Sequence, residues 1–192
     1  MDWTEAIELA ASRIAPHIRR TPLIESLALS PDEKTQVWLK LENLQITGSF
    51  KARGALNKLL SLTETERSRG VIAASSGNHG MAVAYGGRAL GCPVTVCVPH
   101  TAAKTKREAI RAWGATLQVA GNDCVETEAY ARGVAAAEGL AYVSPYNDSA
   151  VIAGQGTIGL ELSEQLKEID AVFVSLGGGG LIGGIGAYLK AQ

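Results

Sequence analysis

The chain has 192 residues, 46% of them hydrophobic and 19% charged, with 18 basic side chains against 19 acidic ones. That balance suits a globular protein with a substantial core and provides no basic run for nucleic acid or an anionic membrane surface. No apolar stretch approaches the length of a membrane span, and the acidic start Met1-Asp2-Trp3-Thr4-Glu5 has no signal-peptide pattern, so a cytoplasmic location is expected.

Thr4 to Ile18 carries apolar residues at Ile7, Leu9, Ala10, Ile14 and Ile18, the spacing of an amphipathic helix interrupted near Pro16. Arg20-Thr21-Pro22-Leu23 is expected to be an extended connector, because the residue before proline avoids the helical region. Val37 to Leu41 suits a strand. A polar loop follows, Gly48-Ser49 breaks it, and a helix is predicted over Ala52 to Leu60 with Lys51 in its first turn.

From there one unit repeats. The pattern predicts strands at Val71–Ala74, Val94–Val98, Thr116–Val119 and Ala141–Val143, and helices at Asn78–Leu90, Ala103–Trp113 and Val125–Glu138. Strands alternating with helices at this spacing imply an α/β protein with parallel sheets covered by helices and right-handed crossovers. Gly91, Gly114 and Gly139 each follow a helix, where a left-handed cap needs no Cβ. A further helix is expected from about Val151 to Lys167, then a strand at Ala171–Ser175 that must pair with Val37–Leu41 or with chain not present in this sequence. A last helix starts at Leu181.

Three loops carry chemistry. A cation is disfavoured at a helix N-terminus, so Lys51 has a lowered pKa there and a neutral amine suited to carbonyl chemistry; the alternative is an ordinary surface lysine. Gly177-Gly178-Gly179-Gly180 joins a strand to a helix, and four glycines let backbone N–H groups converge on an anion such as phosphate. It lacks the lysine of a P-loop. Ser75-Ser76-Gly77-Asn78-His79-Gly80 follows a parallel strand at its carboxyl end and suits a carboxylate, although Ser76 or Asn78 could instead cap the following helix, and His79 could be a structural histidine. The three cysteines, Cys92, Cys97 and Cys124, show no metal-ligand spacing, and their odd number argues against a disulfide framework; Cys97 lies in an apolar run and is expected to be a buried small hydrophobe.

Together Ser49-Phe50-Lys51-Ala52-Arg53-Gly54, Ser75-Ser76-Gly77-Asn78-His79-Gly80, Ala150-Val151-Ile152-Ala153-Gly154-Gln155-Gly156-Thr157 and Gly177 to Gly180 resemble the threonine dehydratase and serine racemase family of pyridoxal-phosphate enzymes, of fold type II. The resemblance covers nearly the whole chain, with the motifs in the family's order. It implies the tryptophan-synthase-β-like fold, with residues 70–146 as a small inserted domain and residues 1–69 with 147–192 as a large, C-terminally incomplete cofactor domain. It implies that Lys51 binds pyridoxal 5'-phosphate as a Schiff base, that Phe50 packs beside the cofactor ring, that Asn78 hydrogen-bonds its phenolic oxygen and that Gly177, Gly178, Gly179 and Gly180 hold its phosphate. Ser75, Ser76, Asn78 and His79 would receive the substrate carboxylate. Lys51 would remove the α-proton of L-threonine or L-serine, and loss of the β-hydroxyl would lead to a 2-oxo acid and ammonia.

Within the resemblance, His79 favours the dehydratase and racemase branch over the sulfhydrylases, and Ser76 matches the serine that supplies a proton in the racemase, so some racemase activity is expected beside dehydration. Ser144-Pro145-Tyr146-Asn147-Asp148-Ser149 departs from the family's usual His-Pro turn. The pyridine-nitrogen contact and the racemases' acidic metal-binding residues would lie in a large-domain half beyond Gln192, so no metal site is assigned, and a homodimer is expected of the full-length protein. The alternatives are a β-replacement synthase of the same fold or a truncated, non-catalytic paralogue that binds cofactor or partner. A Rossmann-type nucleotide module fits less well, since the glycine pattern is not Gly-x-Gly-x-x-Gly.

Overall fold

A carboxylate opens the first helix: Asp2 accepts the N–H groups of Thr4 and Glu5 at 2.9 and 3.3 Å, and α1 (Trp3–Ile14) follows with Ile7, Ala10 and Ile14 buried. The computed structural model describes residues 1–32 and 34–192. Pro16 turns the end of the predicted first helix into a 3-10 segment, Ala15–His17.

Leu23 does not belong to a mere connector. β1 (Leu23–Glu25) pairs antiparallel with β2 (Trp38–Lys40), in the register Leu23↔Lys40, Ile24↔Leu39 and Glu25↔Trp38. Pro22 removes a donor just before the strand, where the ladder does not need it. α2 (Lys51–Ser61) then buries Ala52, Arg53, Gly54, Ala55, Leu56, Asn57 and Leu59. A short helix absent from the sequence reading, α3 (Glu64–Arg69), starts with a capping box: Thr63 Oγ1 accepts from Glu66 N at 3.2 Å, and the Glu66 carboxylate accepts from Thr63 N at 2.8 Å.

The repeated unit forms as expected. β3 (Val71–Ala74), α4 (Asn78–Leu90), β4 (Val94–Val98), α5 (Lys104–Ala112), β5 (Thr116–Val119), α6 (Cys124–Glu138) and β6 (Ala141–Tyr142) build one four-stranded parallel sheet of order β5-β4-β3-β6. Val71 pairs with Val94 on one side and Ala141 on the other, while Thr95 pairs with Thr116. Val71, Ile72, Ala73, Val96, Cys97 and Val98 are buried in the two central strands, as a parallel sheet covered on both faces requires. Cys97 is thus a core residue, and burial pushes its thiol up to about 11. Gly91 and Gly139 end α4 and α6 in the left-handed conformation, at φ 63° and 64°.

α7 (Ser149–Gln165) is the spine of the remaining structure. It packs between α2 and α8 (Gly180–Leu189), and glycines set both crossings. A Cβ on Gly154 would fall 2.6 Å from Gly54 Cα, and one on Gly184 would fall 2.4 Å from the Ile152 carbonyl oxygen. Residues 171–175, expected as a strand, join no ladder among the described residues; Phe173 is 98% exposed, while Val174 packs toward Ile158, Leu162 and Ile185. Local β-propensity is satisfied only when a neighbouring chain supplies hydrogen bonds, and Trp38–Lys40 has its partner in β1. Among the described residues no helix is long and apolar enough to cross a membrane.

Candidate active site

Three helices that follow the motif loops begin without a side-chain cap. α2 follows Phe50, α4 follows Gly77 and α8 follows Gly179, and none of these residues gives its helix a side-chain acceptor. By contrast, α1, α3, α6 and α7 are capped by Asp2, Thr63, Asp123 and Asp148. Among the α-helices of the described residues, α5, after Ala103, alone shares the uncapped state outside the motifs. The capping alternative for Ser76 and Asn78 therefore fails, and the first-turn N–H groups of α4 and α8 remain available to an anion.

Lys51 is the first residue of α2 and is partly buried. Its Nζ donates to the carbonyl oxygen of Pro145 at 2.5 Å and lies 5.2 Å from the centroid of the Phe50 ring. Burial lowers its pKa from the ordinary lysine value of 10.5. The positive potential of the helix start acts in the same direction, but the removal of water from the ammonium is the main cause.

His79 is 3% exposed, and its Nε2 lies 2.9 Å from the carbonyl oxygen of Val143. A carbonyl only accepts, so Nε2 carries the proton and Nδ1 keeps its lone pair, buried and without a partner among the described residues. Burial pushes the imidazole down to about 4, with the nearby Lys51 charge adding to the effect. The ring is thus a neutral packing element tying α4 to the segment after β6. Ser75 Oγ accepts from Gly77 N at 3.2 Å, Ser76 is half-buried and Asn78 is exposed.

The glycine turn is close-packed on one side only. A Cβ on Gly178 would fall 2.3 Å from Tyr146 Cγ, and one on Gly180 would fall 2.6 Å from the Tyr146 carbonyl oxygen, whereas Gly177 and Gly179 face open space. Gly179 has φ 84°, a conformation that favours glycine. Residues 143–146 therefore touch all three motifs: Val143 meets His79, Pro145 meets Lys51, and Tyr146 meets Gly178 and Gly180. In the sequence this segment stood out as a turn-forming Ser-Pro-x-Asn-Asp string after a strand, in the place of the family's His-Pro turn.

Sequence reasoning also passed over the buried ion network behind Lys51. Arg53 is fully buried; its Nε donates to Glu42 Oε2 at 2.9 Å and its Nη1 to Glu161 Oε1 at 2.6 Å. Its Nη2 reaches Glu42 Oε1 at 2.8 Å, and Nη1 also reaches Thr157 Oγ1 at 3.1 Å. Lys40 pairs with the same Glu161 and donates to the Thr21 carbonyl at 2.8 Å. Two cations and two carboxylates thus clamp α2, α7 and the segment after β2.

Residues 14–192 match the family described as "PALP: Pyridoxal-phosphate dependent enzyme". The chain is 47% identical over 186 residues to a protein named L-threonine dehydratase catabolic TdcB from Staphylococcus aureus (strain USA300), a match covering 96% of this chain and 54% of that one. Among solved structures it resembles maize serine racemase with a TM-score of 0.93 at 35% identity, covering 98% of this chain and 57% of that one. It also resembles the processed form of threonine deaminase isoform 2 from Solanum lycopersicum, with a TM-score of 0.94 at 38% identity, covering 98% and 52%. The chain spans about half the length of these relatives. The uncapped helix starts after the motif loops, the partly buried lysine and the match over residues 14–192 lead to one assignment: this chain belongs to the pyridoxal-phosphate-dependent enzyme family, with the α/β fold of its threonine dehydratase and serine racemase members.

Proposed function

We propose that the chain forms the cofactor- and substrate-carboxylate-binding part of a dehydratase that converts L-threonine or L-serine to a 2-oxo acid and ammonia. The observation that carries this reading is the Lys51 amine, buried, with lowered pKa, held on a neutral carbonyl in the turn that also packs against the glycine loop.

The residues fit pyridoxal 5'-phosphate. Cβ atoms at Gly178 and Gly180 would collide with Tyr146, so the loop must present bare backbone, and α8 starts uncapped behind it. Gly177 to Gly180 would hold the phosphate, Phe50 would lie beside the ring, Asn78 would donate to the phenolic oxygen and Lys51 Nζ would bond the aldehyde carbon. When bound, the cofactor supplies an electrophilic carbon for amines and a sink for charge developing at the substrate α-carbon.

Ser75, Ser76, Asn78 and the uncapped N–H groups of α4 would orient the substrate carboxylate. His79 takes part through its backbone N–H, since its ring is engaged with Val143. Lys51 Nζ, as a neutral amine, would take the α-proton and could return it to the β-hydroxyl, which would leave as water; hydrolysis by one water would then give the 2-oxo acid and ammonia. Burial of Nζ lowers the Lys51 pKa and so shifts the amine toward its neutral form relative to an exposed lysine.

Serine racemisation is the second activity. It rests on Ser76, a half-buried residue of the turn before α4 whose hydroxyl makes no hydrogen bond among the described residues and would supply the proton on the face opposite Lys51. The division into a small domain, residues 70–146, and a larger one built from 1–69 and 147–192 is supported by confinement of the parallel sheet to Val71–Tyr142 and by the packing of α1, α2 and α8 on α7. A cytoplasmic homodimer is the expected working form.

The test is to incubate the chain with pyridoxal phosphate, reduce with borohydride and map the modified peptide, then assay 2-oxo acid from L-threonine and L-serine. An adduct on Lys51 with 2-oxo acid supports the proposal, and absence of the adduct refutes it. An adduct without turnover favours the non-catalytic reading. For racemisation, D-serine formation at equal rates in the parent chain and Ser76→Ala removes the role of Ser76.

A further inference from the structure

The residue after the Lys51 acceptor has its own contact with the glycine turn. Tyr146 lies so close that a Cβ on Gly178 would stand 2.3 Å from its Cγ, 2.6 Å from its Cδ1 and 2.8 Å from its Cβ. A Cβ on Gly180 would stand 2.6 Å from its carbonyl oxygen and 3.0 Å from its Cα. Alternate glycines thus rest on Tyr146, while Gly177 and Gly179 face open space.

Tyr146 is itself held from both ends. Val143 N donates to the Ile72 carbonyl at 2.9 Å, which fixes the start of the segment to the sheet. Ser144 Oγ donates to Asn147 Oδ1 at 2.8 Å and accepts from Asn147 N at 3.3 Å, closing the turn around Pro145 and Tyr146. Asp148 caps α7 and pairs with Lys58 at 2.7 Å, which fixes the end.

A run of four glycines has no side chains of its own to hold it and loses more backbone freedom on ordering than other residues do. An anion cradle made of such a run binds well only if something outside it fixes the backbone beforehand. We propose that Tyr146 is a positioning residue that preorganises the Gly177–Gly180 cradle by packing its ring on Gly178, and that through Pro145 the same turn sets the spacing between the cradle and the Lys51 amine. The inference rests on the phosphate reading of the glycine turn given above.

The contacts on Gly178 come from ring carbons and Cβ, so the hydroxyl is dispensable. Y146F keeps the cradle and Y146A loosens it. The test uses the cofactor-free chain, ¹⁵N relaxation at the Gly178 and Gly179 amides, and titration with inorganic phosphate. Wild type and Y146F are expected to show rigid order parameters of about 0.85 and Y146A values below about 0.6. Y146A should also bind inorganic phosphate at least about five-fold more weakly. Unchanged order parameters in Y146A, or equal or tighter phosphate binding, would overturn the proposal. Y146F as impaired as Y146A would also overturn it, since the hydroxyl would then be the active group. If Y146A does not fold, Y146L takes its place with the same expected direction and the same overturning results. Should wild type itself bind no phosphate at these amides, the cradle reading falls, while the order parameters still decide whether Tyr146 holds the turn.

Discussion

Lys51 donates its Nζ hydrogen to the carbonyl oxygen of Pro145 at 2.5 Å, across 94 positions of the chain. The partner is neutral, and that distinguishes Lys51 from Lys40, the other lysine whose pKa burial lowers. Lys40 is charge-paired with Glu161, which counters the desolvation; at Lys51 burial acts with no carboxylate opposing it. A carbonyl accepts from an ammonium or from a neutral amine, so Pro145 fixes the position of Nζ without a carboxylate's strong preference for the charged state.

Lys51 should therefore deprotonate below the ordinary lysine value of 10.5. Competitive acetylation across a pH series, read by peptide mass spectrometry, measures this directly. The midpoint for the Lys51 peptide is expected below 10.5, and a midpoint at or above that value would contradict the burial argument.

Arg53 should be the most sensitive side chain in the large helical cluster. R53A leaves Glu42 and Glu161 without the cation they share, with Lys40 paired to Glu161 alone, and breaking a buried ion network of this kind destabilises by about 3–5 kcal/mol. Because Arg53 engages both carboxylates through a planar fork, R53K is expected to recover less than about half of that loss. Urea denaturation measures both variants. R53K within about 1 kcal/mol of wild type would show that charge, not fork geometry, holds the network.

These contacts also show where sequence information ends. The elements between Val71 and Tyr142 were legible because alternation and helical spacing are local, and Gly91 and Gly139 mark helix ends by a conformation few other residues adopt. Lys51, the Ser75–His79 turn and the glycine turn were legible as residue types in a recognisable order. The resemblance set them around one cofactor, but the contacts that join them were not legible, because Pro145 and Tyr146 reach Lys51 and Gly178 from far away in sequence. β1 was missed because three residues after a proline carry little pattern, and residues 171–175 were overread because propensity says nothing about the presence of a partner strand. The capping box at Thr63 and Glu66 was visible and should have announced α3.

His79 should make the fold acid-sensitive. The neutral ring is held on Val143 with pKa pushed down to about 4, against 6.5 when exposed in the unfolded chain. Between those values the unfolded state binds a proton that the folded state does not, so stability present above 6.5 is lost as pH falls toward about 4. Over that window the loss amounts to roughly 3 kcal/mol. In His79→Gln the drop in unfolding free energy between neutral pH and pH near 4 should shrink by about that amount. Urea titrations showing the same drop in both proteins would assign the acid sensitivity to other groups.

Neighbouring glycines on α8 offer a sharper test of how the glycine turn is seated. A Cβ on Gly184 would stand 2.4 Å from the Ile152 carbonyl oxygen and 2.7 Å from Gly156 N, both backbone atoms of α7 that cannot swing aside. A Cβ on Gly183 meets nothing within 4 Å. G184A must therefore push α8 away from α7, with an expected destabilisation of about 1–3 kcal/mol. G183A should be neutral or stabilising by up to about 1 kcal/mol, since alanine favours the helix over glycine. Because the turn leads directly into α8, displacement of the helix also moves the N–H groups of Gly178 to Gly180 away from Tyr146. G184A should consequently weaken inorganic phosphate binding while G183A leaves it intact. Equal stability and equal phosphate affinity in the two variants would mean that the α7–α8 crossing does not set the position of the cradle.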